Sequence, residues 1–345
     1  MLERLSIENF TVFSKASFEF AAGLNVIVGE NGTGKTHVLK LLYAILAATN
    51  EELKRNDNSR IIKSSLQRQY AQKLQNVFKA ESLGKLARRA GRGRCGIELQ
   101  FTDTARNSAF EFGTSSKVEV QFLQLPDVLK EEQTVFFPTR ELLSIYPGFL
   151  ALYEQRYLEF DETYRDTCLA LSLPVTRTRF MNDVVEILEE AMGGKVILAD
   201  NGRFYLYTKG LGDLEIPLVA EGIRKLAMMA RLLATGALRE KSCLFWDEPE
   251  ATLNPRLVKL VAKVICELAN SGIQVFVTTH SYFLLKEIQL VSMQQVDTNT
   301  RYFSLLKGED GVVVESGDSL DDLQTIVALD EELAQFDREQ DAHHA

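Results

Sequence analysis

Long apolar runs are missing from this 345-residue chain. No stretch approaches the roughly 18 residues that a membrane-spanning helix needs, which argues against a membrane role. The first residues, Met1-Leu2-Glu3-Arg4-Leu5-Ser6, lack the charged-then-apolar layout of a secretory leader. Cysteine is scarce. Cys95, Cys168, Cys243 and Cys266 are scattered with no CxxC spacing, which argues against a zinc site or a disulfide framework and fits a reducing cytoplasm. Histidine is equally scarce, four in all, so a histidine beside another motif stands out. Sustained heptads, internal repeats and low-complexity linkers are also missing, which excludes a long coiled coil. Hydrophobic residues at 46% and charged residues at 25% lie in the ordinary globular range.

The net charge of −9 does not suggest a nucleic-acid binder, but it hides an asymmetry. Lys54 to Arg94 holds twelve basic residues against two acids, while Glu309 to the end holds twelve acids against Arg338 alone. Like charges clustered in this way mark surfaces that meet something.

Apolar alternation predicts strands at Leu2 to Phe10 and Ala16 to Phe20, and a short β-rich run at Leu24 to Val28. A glycine loop follows, and His37 to Ala48 then has helical spacing. Residues 50 to 90 read as helical, polar and basic. Meander strands are expected at Arg94 to Phe101, Ala109 to Phe112 and Val118 to Phe122, and a buried strand at Thr134 to Phe137. Helices are expected at Phe149 to Leu171, Phe180 to Met192, Glu221 to Leu238 and Pro255 to Ala269. Lys195 to Leu198 and Arg203 to Tyr207 read as a hairpin. Cys243 to Trp246 and Ile273 to Thr278 are apolar strands. Two more strands and a helix at about Leu320 to Gln335 complete the chain.

Gly29-Glu30-Asn31-Gly32-Thr33-Gly34-Lys35-Thr36 fits G-x-x-x-x-G-K-[ST] between a strand and a helix. At average residue usage this pattern arises by chance in about 1% of chains this long. Glycines let the backbone turn its N–H groups toward phosphates, and the helix adds its positive dipole end. Lys35 is expected on the β- and γ-phosphates of ATP and Thr36 on Mg²⁺. A second element, Cys243-Leu244-Phe245-Trp246-Asp247-Glu248-Pro249-Glu250, delivers acids to the carboxyl end of a buried strand. Asp247 is expected to hold Mg²⁺ through water and Glu248 to polarise the attacking water. Alone, such a strand end is an ordinary cap; paired with a P-loop it is not. The third element, Val277-Thr278-Thr279-His280-Ser281, ends the next apolar strand and places His280 for the γ-phosphate or the water.

These motifs, with Ile7-Glu8-Asn9-Phe10 and Ala251-Thr252-Leu253-Asn254-Pro255, resemble the ABC/SMC-like ATPases, and within them the OLD-type and AAA-type ATPases of RecF-like organisation. The resemblance covers roughly residues 1 to 47, 95 to 145 and 195 to 306. It implies an α/β fold: an ABC-type P-loop NTPase with a mixed central sheet, an antiparallel β subdomain and a helical lobe. The chain is then one ATPase domain, 1–345, with a basic helical insertion at 50–93, a helical lobe at 145–193 and an acidic C-terminal segment at 309–345. The resemblance also implies that 251–254 is a D-loop including Asn254, and that His280 is the switch histidine.

A signature loop is implied at Leu218-Val219-Ala220-Glu221-Gly222-Ile223-Arg224-Lys225. Ala220 stands where the family has Ser, Gly222 is in place, and Glu221 lies between them. Arg224 and Lys225 either compensate for the lost hydroxyl or are plain helix-surface charges. Pro138-Thr139-Arg140-Glu141 occupies the place of the Q-loop but holds no Gln. Because the signature loop of one subunit closes the P-loop of another in this family, a head-to-tail dimer or larger homo-oligomer is expected. Arg88, Arg89, Arg92 and Arg94 read either as contacts to a nucleic-acid backbone or as a solvated basic turn, or a dock for the acidic tail. Aromatic interleaving is absent there, so base stacking is not expected.

Two family features are missing: long coiled coils, and a C-terminal Toprim domain, for which about forty residues after the last head strand are too few. The expectation is a stand-alone head whose effector, a nuclease or toxin, is another polypeptide. It is similar in organisation to the ATPase subunits of the antiphage systems PARIS (AriA) and Septu (PtuA). The alternatives are a RecF/SMC-like DNA-repair ATPase and an ATP-locked scaffold with little turnover.

Overall fold

The computed structural model describes residues 1–55, 61–89, 93–176, 181–210, 212–295 and 299–344. The chain opens with β1 (Leu2–Phe10), β2 (Phe13–Glu19) and β3 (Leu24–Gly29), then α1 (Lys35–Arg55) and α2 (Lys63–Phe78). Next come β4 (Cys95–Phe101), β5 (Ser108–Phe112), β6 (Gln121–Gln124) and β7 (Thr134–Phe137). A helical stretch follows: α3 (Phe149–Glu154), α4 (Glu162–Ser172) and α5 (Asn182–Met192). Then come β8 (Lys195–Leu198), β9 (Phe204–Thr208), β10 (Gly212–Glu215) and α6 (Glu221–Ala234). The rest is β11 (Cys243–Asp247), α7 (Pro255–Asn270), β12 (Gln274–Thr279), α8 (Tyr282–Gln294), β13 (Thr300–Gly308), β14 (Gly311–Gly317) and α9 (Val327–His344).

The central sheet runs β14-β13-β3-β12-β11-β7. From β13 to β7 every pairing is parallel, and β14 joins antiparallel, so the sheet is mixed. A parallel sheet covered on both faces needs near-continuous apolar strands, and the sequence supplies them. Phe136, Phe245, Phe276 and Phe303 point into one core with α1 and the antiparallel sheet β2-β1-β4-β5-β6. Phe137, Trp246, Val275 and Val277 point into the other, with α6, α7 and α8. Since β3, β11 and β12 run in one direction, the loops after Gly29, Asp247 and Thr279 emerge at one end. Among the described residues no helix is long and apolar enough to cross a membrane.

Several boundaries differ from the sequence expectation. Phe149 to Leu171 is two helices, because Arg156 turns left-handed at φ 60° and α4 restarts at Asp161, whose carboxylate accepts from Thr163 N. The α-helical part of the 50–93 segment stops at Phe78, where Lys79 adopts the left-handed cap conformation, and a short 3-10 turn follows at Leu83–Leu86. The expected strand at 118–122 lies at Gln121–Gln124, and the hairpin has a third strand, β10. The helix expected from Leu320 begins only at Val327, because Ser319 and Asp322 close a capping box around a short 3-10 turn, Leu320–Asp322.

Lys73 joins α2 to the helical lobe. Its side chain is 1% exposed and lies 2.6 Å from Asp166, 2.7 Å from Glu51 and 3.5 Å from Glu162. The Tyr43 hydroxyl donates to the same Asp166 at 2.7 Å. Burial depresses the lysine pKa, but the three carboxylates outweigh it and hold the group charged. Removing the cation leaves acids in a poorly solvated site. Lys73→Met should therefore cost about 3–5 kcal/mol in a urea unfolding curve; a loss under about 1 kcal/mol would mean the cluster is solvated well enough to be inert.

Candidate functional site

The P-loop leaves β3 and closes on the first turn of α1. Gly32 and Gly34 have φ of +83° and +90°, in the left-handed region where glycine is favoured. A Cβ on Gly34 would sit 2.7 Å from Val12 and 2.8 Å from the Phe13 ring, so the loop can close only on a glycine there. Glu30, Asn31 and Gly32 are exposed at the mouth, and Glu30 is paired with Lys307 at 2.5 Å. The Thr33 hydroxyl donates to Glu30 O at 2.8 Å. The Lys35 ammonium lies inside the loop, donating to Gly29 O at 2.8 Å and Glu30 O at 3.0 Å. Burial lowers its pKa, opposed by Glu248, Asp247, Glu250 and Glu30.

Three threonines converge on Asp247 at the end of β11. Thr36 Oγ1 donates to its carboxylate at 2.9 and 3.1 Å, Thr278 Oγ1 at 2.5 Å and Thr139 Oγ1 at 3.2 Å. The motifs that contain Thr139 and Thr278 do not by themselves announce this contact. Thr139 occupies the Q-loop position, whereas its neighbour Arg140 is exposed and Glu141 is buried against Ser144 and Arg224. A hydroxyl and a carboxylate in contact, both hard oxygen donors, fit Mg²⁺.

After Asp247 the chain makes a tight turn. Glu248 and Thr252 both adopt positive φ, 47° and 69°, which is uncommon for residues with a Cβ. The turn is held from α6. Lys225, expected to be either a trans-acting or a surface charge, is neither: its side chain is buried and donates to Glu248 O at 2.8 Å and Ala251 O at 3.2 Å. Arg224 is likewise engaged within the chain, 2.8 Å from Glu141. A Cβ on Gly222 would lie 3.0 Å from Thr252 O, so the missing side chain is what lets α6 approach this turn.

His280 follows β12. Its Nδ1 is 3.3 Å from Glu248 Oε1 and 3.9 Å from Glu250 Oε1. Ala220 and Glu221 are exposed at the start of α6, and no side chain caps that helix. Asn254 is exposed and caps α7 by accepting from Leu257 N at 3.1 Å. The structure thus brings together Lys35, Thr36, Asp247, Glu248 and His280, and leaves Ala220, Glu221 and Asn254 on the surface.

The basic turn docks on the β1–β2 connection. Arg88 N donates to Asn9 O at 2.9 Å, Thr11 N to Leu86 O at 2.8 Å, and Asn9 Nδ2 to Arg94 O at 3.2 Å. The same connection packs on the P-loop through Val12 and Phe13. Arg89 is exposed, Arg88 half-buried, and Arg94 is paired with Glu111 at 2.9 Å. Arg92 lies outside the described residues.

A family model described as "AAA domain, putative AbiEii toxin, Type IV TA system" matches residues 24–286. The DNA replication and repair protein RecF of Streptococcus uberis is 35% identical over 107 residues, 30% of this chain and 25% of that protein. RecF of Streptococcus suis is 43% identical over 56 residues, 16% of this chain and 15% of that protein. The DNA double-strand break repair Rad50 ATPase of Methanopyrus kandleri is 50% identical over 46 residues, 13% and 5% of the two chains. The chain therefore spans a quarter or less of each of these relatives. An SMC head bound to the C-winged helix domain of ScpA superposes with TM-score 0.56 at 15% identity, over 93% of this chain and 98% of that one. The Pyrococcus furiosus SMC head domain with an extended coiled coil gives 0.53 at 14% identity, over 98% and 99%. The fold is that of an SMC-like head, an ABC-type P-loop NTPase, as expected.

The Lys225 clamp has a pH signature. Its pKa falls from 10.5 to about 8, through burial first, with Glu250, Glu248 and Asp247 opposing. Below the folded value the native chain carries a desolvated ammonium, and that cost fades as the pH climbs to the unfolded value. Wild-type stability minus that of Lys225→Met should rise by about 2–3 kcal/mol from pH 8 to 10.5. Paired denaturant curves across that window test it, and a flat difference would place the lysine in contact with water.

Proposed function

Because the chain belongs to the AAA-domain family described as putative AbiEii toxin, Type IV TA system, we infer that it binds Mg²⁺·ATP and hydrolyses it in a site that a second copy completes. The observation that carries this reading is one turn with two faces. Residues 248–252 present Glu248 to the chain's own P-loop side and His280, while the start of α6, packed on the same turn, faces solvent with Ala220 and Glu221.

Each group then has a task. The P-loop amides and Lys35 bind the phosphates, and Thr36 and Asp247 would hold the metal, whose positive charge would offset the negative charge on the β- and γ-oxygens. Glu248 orients the attacking water, and His280 bridges that carboxylate to the γ-phosphate. The N-terminus of α6, with its positive dipole end, meets the phosphate of a facing copy. ATP thereby joins two heads and hydrolysis parts them. In the cell this cycle holds and releases a separate effector, a nuclease or toxin, as in the antiphage ATPases that the motifs resemble.

A second reading, a RecF-like repair ATPase that clamps DNA, is favoured by the exposed Arg89 on a turn docked beside the P-loop corner. Similarity to proteins named for DNA replication and repair points the same way. A salt-sensitive gel shift that strengthens with ATP and weakens in Arg88→Glu/Arg92→Glu would select it.

Glu248→Gln should cut phosphate release about 100-fold and trap an ATP-dependent larger assembly in light-scattering chromatography. Lys35→Ala should lose both nucleotide binding and assembly. Equal turnover in wild type and Glu248→Gln would leave only an ATP-locked scaffold.

A further inference from the structure

The site holds one acid for which the scheme above has no task. Glu250 is three residues past Asp247 and 8% exposed. Its Oε1 accepts from the Thr279 hydroxyl at 2.6 Å and from His280 N at 3.4 Å. Thr279 Oγ1 in turn accepts from Ser281 N at 2.9 Å. One carboxylate oxygen therefore holds the backbone on both sides of His280. The other, Oε2, is buried and takes no hydrogen bond among the described residues.

A buried carboxylate oxygen without a donor is costly. An unsatisfied buried group of this kind calls for an explanation, and a catalytic role is one. The histidine ring is a mobile donor beside this carboxylate, on the side of Oε1. Its Nδ1 is 3.3 Å from Glu248 and 3.9 Å from Glu250, so a small rotation about χ moves the N–H from one acid to the other. The choice matters chemically. While Nδ1–H is held by Glu248, the ring occupies the oxygen that must orient water. Once Glu250 takes that N–H, Glu248 is released and the imidazole is fixed with its hydrogen on Nδ1, leaving Nε2 as the free edge of the ring. Burial raises the Glu250 pKa, with the Thr279 hydrogen bond and His280 opposing.

We propose that Glu250 is the positioning residue of His280: it fixes the backbone of residues 279–281 and takes the ring's Nδ1–H, freeing Glu248 to orient water. This deepens, and rests on, the ATPase reading. Glu250 also shares its turn with the carbonyls that Lys225 holds, so the same turn carries the acid that positions the histidine and the clamp from α6.

The decisive variant is Glu250→Gln, which keeps an oxygen for the Thr279 hydroxyl and removes the charge that attracts the ring. Its kcat should fall about tenfold with KM for ATP within about twofold, and thermal unfolding should stay near wild type. In a His280→Gln background the same change should cost less than about twofold, because the two residues act as a unit. A nitrogen-15 spectrum of the full chain in Mg²⁺ and a non-hydrolysable ATP analogue reads the tautomer directly, the His280 signals being those lost in His280→Gln. In Glu248→Ala, which leaves Glu250 as the acid beside the ring, His280 should show hydrogen on Nδ1, and adding Glu250→Gln should remove that preference. An Nε2–H tautomer in Glu248→Ala, or a full additive loss in the double variant, overturns the proposal. The spectrum needs no turnover, so a chain that fails to hydrolyse ATP sinks the ATPase reading while the tautomer still decides the role of Glu250. It also decides the matter if Glu250→Gln does not fold.

Discussion

Asp247 is the point on which the site is hung. Its carboxylate accepts hydroxyls from α1, from the end of β12 and from the loop after β7, three segments that lie 211, 31 and 108 residues away in the chain. Each contact exists only because β11 lies between β7 and β12 in parallel register, with β3 one strand further on. A shift of one residue in any of those pairings would turn the side chain to the other face of the sheet and scatter the cluster. The two apolar cores that fix the register are thus part of the chemistry, since they set which hydroxyls reach the acid.

A second constraint runs at right angles to the first. The turn after Asp247 is left-handed at Glu248 and Thr252, and such backbone costs about 1–3 kcal/mol per residue unless its surroundings hold it. Lys225 holds it by tying two of its carbonyls, and Gly222 allows α6 close enough to do so. Without that helix the acid that faces the P-loop would lose the support of its own backbone.

What could be read from the sequence divides along these lines. The P-loop was legible because its chemistry is local, with glycines, lysine and threonine within eight positions between a strand and a helix. Asp247, Glu248 and His280 were legible because each ends an apolar run, and an apolar run of that length is a buried strand. Thr139, Thr278, Lys225 and Glu250 were passed over or misassigned because nothing beside them in the chain announces their partners. Lys225 reads in the sequence either as compensation for the lost hydroxyl or as a surface charge, since lysine almost never lies buried without a reason, and its reason is a pair of carbonyls 23 and 26 residues ahead. The break in the expected Phe149–Leu171 helix was hidden for a similar cause: one left-handed arginine interrupts it, and side-chain periodicity does not register a single φ.

Ala220 begins α6 without any side-chain cap, and two positions on Gly222 meets the carbonyl of Thr252. Neighbouring sites in one motif therefore have opposite freedom to vary. At 222 an added Cβ would press to 3.0 Å from the backbone opposite, so any larger residue there requires the turn to give way. At 220 a methyl group faces solvent, and a serine would be received with a gain of about 0.5–2 kcal/mol in helix stability. The fold therefore does not dictate alanine at 220, which leaves that position free to be set by what the surface meets rather than by how the chain folds.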